Sequence, residues 1–327
     1  MVVVGASKGG LQALRDLLGQ LPSDLCAAVF VTMHIGNHNS MLPCILAKNT
    51  ALKVSFAVDD EVIRNGHVYV APPDRHLLVD RGSIRLTRSA KENHARPAID
   101  PMFRSAAIAY QSRTTGVVLT GDLDDGVVGL QAIKVYGGTV LVQDPQTAEA
   151  PSMPENAILY VDVDACLTIQ ELALRLTKLT QGALSADTAS SEPIRIEPFA
   201  TENDLTHDLS AGGVNALEAI GTVSGLSCPE CGGALWELGQ SPPRFRCHTG
   251  HSYAAATLLE AQNEAIEEAL WVSIRALHEK QLLLARLALI DKNGESHQVA
   301  KERDLANEQL ESHGRVLRTL VSSMRTV

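Results

Sequence analysis

The hydrophobic positions of the first 182 residues form short apolar runs that alternate with amphipathic stretches. The runs are rich in β-branched residues, as in buried parallel strands, and the apolar positions between them recur every three or four residues, as in amphipathic helices. This alternation predicts a three-layer α/β domain with a mainly parallel sheet and one antiparallel hairpin at 77–86. The predicted strands are 2–5, 28–33, 54–58, 68–71, 76–80, 84–87, 117–120, 139–143 and 158–161, and the predicted helices are 9–19, 39–48, 100–111, 126–136 and 168–180.

The second half of the chain has two other patterns. Residues 183–217 have few apolar positions and no hydrophobic period, which predicts a linker. Residues 254–327 predict two long helices separated by a turn at Asp291-Lys-Asn-Gly294. We expect a helical hairpin or coiled-coil tail that packs on this chain, docks on another helical bundle or dimerises. Its apolar stripes are Leu259, Ile266, Leu270, Ile274, Leu277, Leu284 and Leu287 in the first helix, and Ala306, Leu310, Leu317, Leu320 and Met324 in the second.

Composition narrows the class of protein. A chain of 327 residues that is 45% hydrophobic has room for about two domains with substantial cores. The net charge of −10 argues against non-specific binding to nucleic acid. No run reaches the roughly 18 apolar residues that span a membrane, so no membrane insertion is expected. The few cysteines favour a reducing, cytoplasmic location over a disulfide framework.

A serine, a histidine and an aspartate each follow a predicted strand. Ser7 lies in the turn Gly5-Ala-Ser-Lys-Gly-Gly10, His34 follows strand 28–33, and several aspartates follow strand 117–120. The carboxyl ends of parallel strands meet at one edge, where a serine nucleophile, its base and an orienting carboxylate can come together. A turn that opens a helix also directs N–H groups toward the serine, so Lys8 and Gly9 are candidate oxyanion-hole residues.

Simpler interpretations of these residues remain open. The Gly-rich turn also fits a phosphate or dinucleotide loop, although it has neither the Gly-x-Gly-x-x-Gly spacing nor a Walker sequence. A histidine at a strand end is often a packed side chain, and acid–glycine clusters are often turns or metal sites. A nucleotide-binding regulator is therefore the third functional alternative, after an enzyme and a non-catalytic adaptor.

A second motif lies at residues 218–253. Cys228-Pro-Glu-Cys231 is followed by Cys247-His248-Thr-Gly-His251, which is the spacing of a four-ligand zinc site. We favour Cys228, Cys231, Cys247 and His251 as ligands, with His248 as the alternative to His251. A closed site of this kind is structural, and the metal would supply folding energy to a zinc-ribbon-like module too small for a good core. A redox Cys-x-x-Cys or free thiols would leave the histidines unexplained.

Residues 1–182 resemble the catalytic domain of chemotaxis-type protein-glutamate methylesterases, the CheB family. Six motifs follow in order: Gly5-Ala-Ser-Lys-Gly-Gly10, the strand into His34, Gly66-His-Val-Tyr-Val-Ala-Pro72, Arg96-Pro-Ala-Ile-Asp-Pro-Met-Phe103, Leu119-Thr-Gly-Asp-Leu-Asp-Asp-Gly126, and Gln143-Asp-Pro through Met153-Pro154. The resemblance implies a Ser7 nucleophile, a His34 base and an orienting Asp125. It implies hydrolysis of glutamyl methyl esters on methyl-accepting chemotaxis receptors, without a catalytic cofactor, and in some members deamidation of glutamines.

Two departures from the family pattern affect the expected function. The family usually has Thr-Gly-Met-Gly before the aspartate, whereas this chain has Asp122 and Leu123. The extra carboxylate lines the expected site and could repel an anionic product, and Asp122 or Asp124 is an alternative partner for His34. The first strand begins at Met1 or Val2, so we expect no receiver domain. Regulation is then absent, located in the C-terminal half, or supplied in trans by a phosphorylated regulator or signalling kinase.

Overall fold

A seven-stranded parallel sheet organises the first part of the chain. The computed structural model describes residues 1–36, 38–181, 194–207, 213–290 and 297–324. The sheet has the order β3-β4-β2-β1-β7-β8-β9, and β5 and β6 form a separate antiparallel hairpin. The strands are β1 Val2–Ala6, β2 Val29–Met33, β3 Lys53–Phe56, β4 His67–Val70, β5 His76–Val79, β6 Ile84–Thr87, β7 Thr115–Val118, β8 Thr139–Gln143 and β9 Ala165–Leu167.

Helices cover both faces of this sheet and complete the three layers. Side chains of β1 alternate between two cores, since Val3 lies in one and Val2 and Val4 lie in the other. Burial on both faces explains why the strands are almost entirely apolar. The predicted mainly parallel α/β domain is confirmed. The helices are α1 Gly10–Leu18, α2 Leu42–Ala47, α3 Ile99–Tyr110, α4 Val127–Val135, α5 Ser152–Tyr160 and α6 Ile169–Gln181.

The strand order reverses at the centre of the sheet. From β1, the chain first builds outward through β2 and later continues on the other side with β7. In open α/β sheets the crevice at such a switch point, beyond the carboxyl ends of the strands, is the usual place for a ligand. Ser7, His34 and the 119–126 loop all lie at this edge.

Two stretches differ from the sequence expectation. Residues 158–161, expected as a strand, fall mostly in α5, and the strand that pairs with β8 is β9, at Ala165–Leu167. Pro151 precedes α5 and Pro154 lies in its first turn, where proline is tolerated. The expected linker 183–217 contains α7 Phe199–His207 and most of α8 Gly213–Ile220. The helix α7 buries polar residues such as Glu202 and Thr206, so the scarcity of apolar residues did not mean exposure. Residues 183–193 and 208–212 of this stretch lie outside the described residues.

The expected zinc-ribbon-like module is a four-stranded antiparallel sheet. Its strands, paired in chain order, are β10 Thr222–Ser227, β11 Ala234–Gln240, β12 Pro243–Cys247 and β13 Ser252–Ala254. The strand β13 also forms a bridge to the first domain, where Ser252 pairs in parallel with Glu92. This sheet and the parallel sheet belong to one compact unit, Met1–Leu258.

The described residues of the remaining unit, Leu259–Val327, are helical. The two C-terminal helices are α9 Ala255–Ile290 and α10 His297–Met324. The predicted stripes are partly displaced, because Leu259 and Leu320 are 61% and 47% exposed whereas the neighbouring Val321 is 3% exposed. The turn at 291–296 lies outside the described residues, and the hairpin stays a prediction. None of the described helices is both long and apolar enough to cross a membrane.

Candidate active site and metal site

Ser7, His34 and Asp125 form a hydrogen-bonded relay. The Ser7 Oγ lies 3.0 Å from His34 Nδ1, and His34 Nε2 lies 2.7 Å from Asp125 Oδ2. The Asp125 side chain is 3% exposed and that of His34 is 24% exposed, so the relay runs from a buried carboxylate toward solvent. This geometry fits a nucleophile, a base and an orienting acid. Asp122 and Asp124, the alternative partners considered for His34, make other contacts.

The parallel sheet explains why residues distant in sequence meet. Adjacent β1 and β2 are in register from Val2–Val29 to Ala6–Met33, so Ser7 and His34 leave the sheet side by side. On the other flank, the Ser7 N–H donates to the Thr120 carbonyl at 3.0 Å. That bond draws the loop after β7 against the serine turn, and the same loop carries Asp125.

Two glycines permit this close approach. Gly9 has a φ of 74°, and a Cβ there would lie 2.6 Å from the Glu149 Cβ. A Cβ on Gly121 would lie 2.8 Å from the Met153 Sδ and 2.9 Å from the Ser7 Cβ. A side chain at either position would force the serine turn away from its neighbours.

The serine turn offers hydrogen-bond donors to a reacting carbonyl. In the described part of the chain, no backbone carbonyl accepts from the N–H groups of Lys8 and Gly9. Both groups precede α1, whose N-terminus adds a favourable field for a negative oxygen. A cleft of about 270 Å³ opens beside Ser7 and is lined by Ser7, Gly9, Gly10, Leu11, Gln12, Met33 and Glu149.

The Asp125 carboxylate is held on both oxygens. Its Oδ2 accepts from the Ile99 N–H at 2.7 Å in addition to His34, and its Oδ1 accepts from Asn93 Nδ2 at 2.7 Å and from the Asp100 N–H at 3.2 Å. Burial alone would raise the pKa of Asp125, but the hydrogen bond and charge of His34, together with these donors, bring it below its usual value. Asp125 therefore stays ionised.

The sequence did not single out Asn93. The motif that begins at Arg96 lies next to it, but a loop asparagine carries no signal of a contact 32 residues ahead. The same amide nitrogen also donates to Asp100 Oδ2 at 2.7 Å. Burial, and then the charge of Asp125, raise the pKa of Asp100 well above its usual value.

The two other acids of the 119–126 loop have different surroundings. Asp122 Oδ2 lies 3.4 Å from Lys8 Nζ, with both side chains more than half exposed. Asp124 is 3% exposed and accepts from the Thr257 hydroxyl at 2.6 Å. Burial raises the pKa of Asp124. The extra carboxylate at 122 thus has a lysine partner at the mouth of the site.

A second cluster lies in the antiparallel sheet. Ligand atoms of Cys228, Cys231, Cys247 and His251 all lie within 4.8 Å of one another. The Sγ atoms of Cys231 and Cys247 are 3.7 Å apart, and His251 Nδ1 is 3.5 Å from Cys247 Sγ and 3.7 Å from Cys228 Sγ. A tetrahedral zinc ion with ordinary bond lengths requires separations of about 3.8 Å between sulfurs and about 3.5 Å from sulfur to nitrogen. These donors fit such an ion.

The neighbours of the cluster support His251 over His248. His251 turns Nδ1 toward the thiols and Nε2 toward Glu230 Oε2 at 3.4 Å. A carboxylate behind the second nitrogen is the usual way to orient a metal-binding histidine. His248 is exposed and does not join the group of four.

Comparison with known proteins assigns the first domain. The family model described as CheB methylesterase matches residues 2–176, a segment that contains Ser7, His34 and Asp125. The catalytic domain of the CheB methylesterase of Thermotoga maritima is 34% identical, with a TM-score of 0.52 over 54% of this chain and 97% of that domain.

Curated relatives point the same way. A protein of Anaeromyxobacter dehalogenans, named protein-glutamate methylesterase/protein-glutamine glutaminase 2, is 38% identical over 55% of this chain and 53% of its own length. A protein of Leptospira interrogans is 37% identical over 56% of this chain and 96% of its own length, and its name gives the same two activities as a provisional assignment. The chain belongs to the CheB methylesterase family.

Proposed function

We propose that this protein is a protein-glutamate methylesterase that hydrolyses glutamyl methyl esters on methyl-accepting chemotaxis receptors. The observation that carries the proposal is the relay from Ser7 through His34 to Asp125, at the switch point of the family-matched sheet. The names of its relatives support the substrate class and a second, glutaminase activity.

The geometry supports an acyl-enzyme mechanism. His34 Nδ1 takes the Ser7 proton as the Oγ attacks the ester carbonyl, and the Asp125 carboxylate stabilises the imidazolium through Nε2. The two ring nitrogens have roles opposite to those in the chymotrypsin template, which changes nothing in the proton balance. The Lys8 and Gly9 N–H groups would stabilise the developing oxyanion.

The second half of the cycle regenerates the serine. Collapse of the tetrahedral intermediate breaks the ester C–O bond, and the proton on His34 leaves with the methoxide as methanol. A water molecule then gives a proton to His34 and attacks the glutamyl ester of Ser7. Collapse of this second intermediate breaks the bond to Ser7 Oγ, which takes the proton back from His34, and the glutamic acid product loses its proton to solvent as the carboxylate forms. With a glutamine substrate the same steps release ammonia in place of methanol.

Asp122 does not argue for the adaptor alternative. Its carboxylate pairs with Lys8 at the surface, and His34 contacts Asp125. Because a lysine partner and solvent both screen the charge at 122, its effect on a product carboxylate is small.

We further propose a structural zinc ion bound by Cys228, Cys231, Cys247 and His251. The distances among the four donor atoms and the carboxylate behind His251 support this assignment. Zinc in such a closed site supplies folding energy and takes no part in ester hydrolysis.

The expected partners are the cytoplasmic domains of chemoreceptors, which places the protein in the cytoplasm. A phosphorylated regulator or a signalling kinase is the proposed source of control in trans. The formal charge of −10 makes nucleic acid an unsuitable partner.

The test is methanol release from methylated receptor cytoplasmic fragments. Wild type is compared with Ser7→Ala and with Ser152→Ala, a matched control whose hydroxyl donates to the Leu123 carbonyl at 3.5 Å and contacts none of the three relay side chains. We expect Ser7→Ala to lose several orders of magnitude in rate and Ser152→Ala to stay within a few-fold of wild type. Absence of release from a folded wild-type protein would refute the esterase and leave the adaptor.

A further inference from the structure

One side chain joins the candidate active site to the metal-binding sheet. Asn93 donates through Nδ2 to Asp125 Oδ1 at 2.7 Å, and its Oδ1 accepts from the Ala254 N–H at 2.9 Å. Ala254 is the last residue of β13, and the strand begins directly after His251. The amide therefore spans the gap between the proposed orienting acid and the strand next to a proposed metal ligand.

The backbone of Asn93 is also hydrogen-bonded to β13. Its N–H donates to the Ser252 carbonyl at 2.7 Å, and the Ser252 N–H donates to the Lys91 carbonyl at 3.2 Å. Asn93 and His94 have φ values of 50° and 59°, a conformation that costs free energy in residues with a side chain. The pairing with β13 supplies the contacts that keep this loop in its conformation.

Buried charges fix the position of the two sheets around this loop. Glu92 of the first domain lies 2.9 Å from Arg104 Nη2 and 3.0 Å from Arg246 Nη2 of β12. The Thr206 hydroxyl of α7 donates to Glu92 at 2.6 Å. All four side chains are nearly inaccessible to solvent, so the interface is a fixed part of the fold.

A second contact reaches the other side of Asp125. Its neighbour Asp124 accepts from the hydroxyl of Thr257, which is 2% exposed. Residues 252–257 thus contact Asn93, which hydrogen-bonds Asp125, and Asp124, which precedes Asp125 in the sequence.

We propose that Asn93 is a positioning residue for Asp125 and that the metal-binding module, through Ser252 and Ala254, holds Asn93 in place. This inference rests on the proposed function for its consequence in ester hydrolysis. The module would then support the relay, because the orientation of the Asp125 carboxylate determines the alignment of His34.

The chemistry of the amide explains why this position suits asparagine. Two carboxyl groups, Asp125 and Asp100, face the same nitrogen at 2.7 Å each, and a neutral donor satisfies both without adding charge. The carbonyl end of the same group meets an N–H donor. No other side chain of this size donates at one end, accepts at the other and tolerates a positive φ.

The test compares Asn93→Asp with Asn203→Asp in the full-length protein. Both asparagines are 9% exposed, but Asn203 belongs to α7 and does not contact Asp125. Asn93→Asp keeps the acceptor for Ala254 and places a carboxylate against two others. Asn93→Gly, which removes the side chain without backbone strain, is the second variant.

Two readouts separate positioning from folding. The first is kcat and KM for methanol release as a function of pH, per active site. The second is the rate of phosphonylation of Ser7 by an alkyl fluorophosphonate, which needs the relay but no receptor and also counts active sites. For both Asn93 variants we expect kcat per active site and the Ser7 labelling rate to fall about 10- to 100-fold, with KM unchanged.

The outcomes distinguish this inference from the proposed function. Equal losses in Asn203→Asp, or Asn93 variants with wild-type kcat per active site and a wild-type rate of Ser7 labelling, would overturn the positioning role and leave the esterase intact. Labelling of Ser7 without ester hydrolysis would refute the proposed substrate, and the labelling rates alone would then decide the role of Asn93. A wild-type protein that neither reacts with the probe nor releases methanol would overturn both.

Discussion

Glu92→Gln tests the buried ion cluster that joins the two sheets. The carboxylate of Glu92 is 1% exposed and faces two arginines that are equally buried. Glutamine keeps the shape of the side chain but removes the charge, so Arg104 and Arg246 would lie buried beside each other with no anion between them. Removal of one partner from a buried ion pair costs about 3–5 kcal/mol in the free energy of unfolding.

This loss translates into a measurable change in thermal unfolding. For a unit of this size, 1 kcal/mol shifts the midpoint by about 2–4 °C, so the expected decrease is roughly 6–20 °C. The matched control is Glu197→Gln, whose side chain is 47% exposed and lies 3.1 Å from Arg195. An exposed pair contributes about 0–1 kcal/mol, so the control should unfold within about 4 °C of wild type.

The stability that Glu92 contributes depends on pH. Burial would raise the pKa of Glu92, but the charges of Arg104 and Arg246 outweigh it and hold that pKa well below its usual value. A carboxyl whose pKa is depressed in the folded state contributes stability above its unfolded value of about 4.3, and this contribution is lost as the pH falls further. The difference between wild type and Glu92→Gln should therefore shrink below about pH 4. A midpoint for Glu92→Gln within 2 °C of wild type at pH 7 would refute the reasoning.

Three further predictions address the relay, the metal and the surface pair. Asp125→Asn should lower kcat for methanol release about 10⁴-fold with an unchanged circular dichroism spectrum, as loss of an orienting aspartate does in serine hydrolases. His251→Ala should abolish binding of one zinc ion per chain, measured by elemental analysis, and His248→Ala should retain it; the reverse result would exchange the two histidines. Asp122→Ala should change kcat/KM for methylated receptor fragments less than 10-fold, because the carboxylate is exposed and paired with Lys8; a larger increase would mean that Asp122 obstructs the substrate.

Part of the candidate site could be predicted from the sequence alone. Ser7 and His34 directly follow apolar strands, and parallel strands bring such ends together regardless of their separation along the chain. The choice of Asp125 among three nearby aspartates came from the family resemblance, because spacing does not fix the direction of a side chain within a loop. The cysteines proposed as metal ligands could be selected from the sequence because metal sites use short, fixed spacings.

Other features depended on tertiary contacts that leave no local pattern. The polar helix α7 was expected as linker, yet Glu202 is 1% exposed and lies 3.1 Å from Arg244. A sequence pattern counts apolar positions and therefore misses a helix that buries paired charges. Asn93 was missed for a related reason, since its partners Asp125 and Ala254 are 32 and 161 residues away.

The loop around Asn93 gives a physical reason for joining a metal-binding module to an esterase domain. Asn93 and His94 hold positive φ values, and strained backbone of this kind persists only where surrounding contacts outweigh its cost. The contacts come from Ser252 and Ala254, in the strand that follows His251, and from Glu230, which lies between Cys228 and Cys231 in the sequence and 3.2 Å from His94 Nδ1. The proposed metal ion would fix these residues, because they adjoin its ligands in the sequence. Any partner that disturbs the module would therefore change the position of Asp125 through Asn93, without entering the cleft beside Ser7.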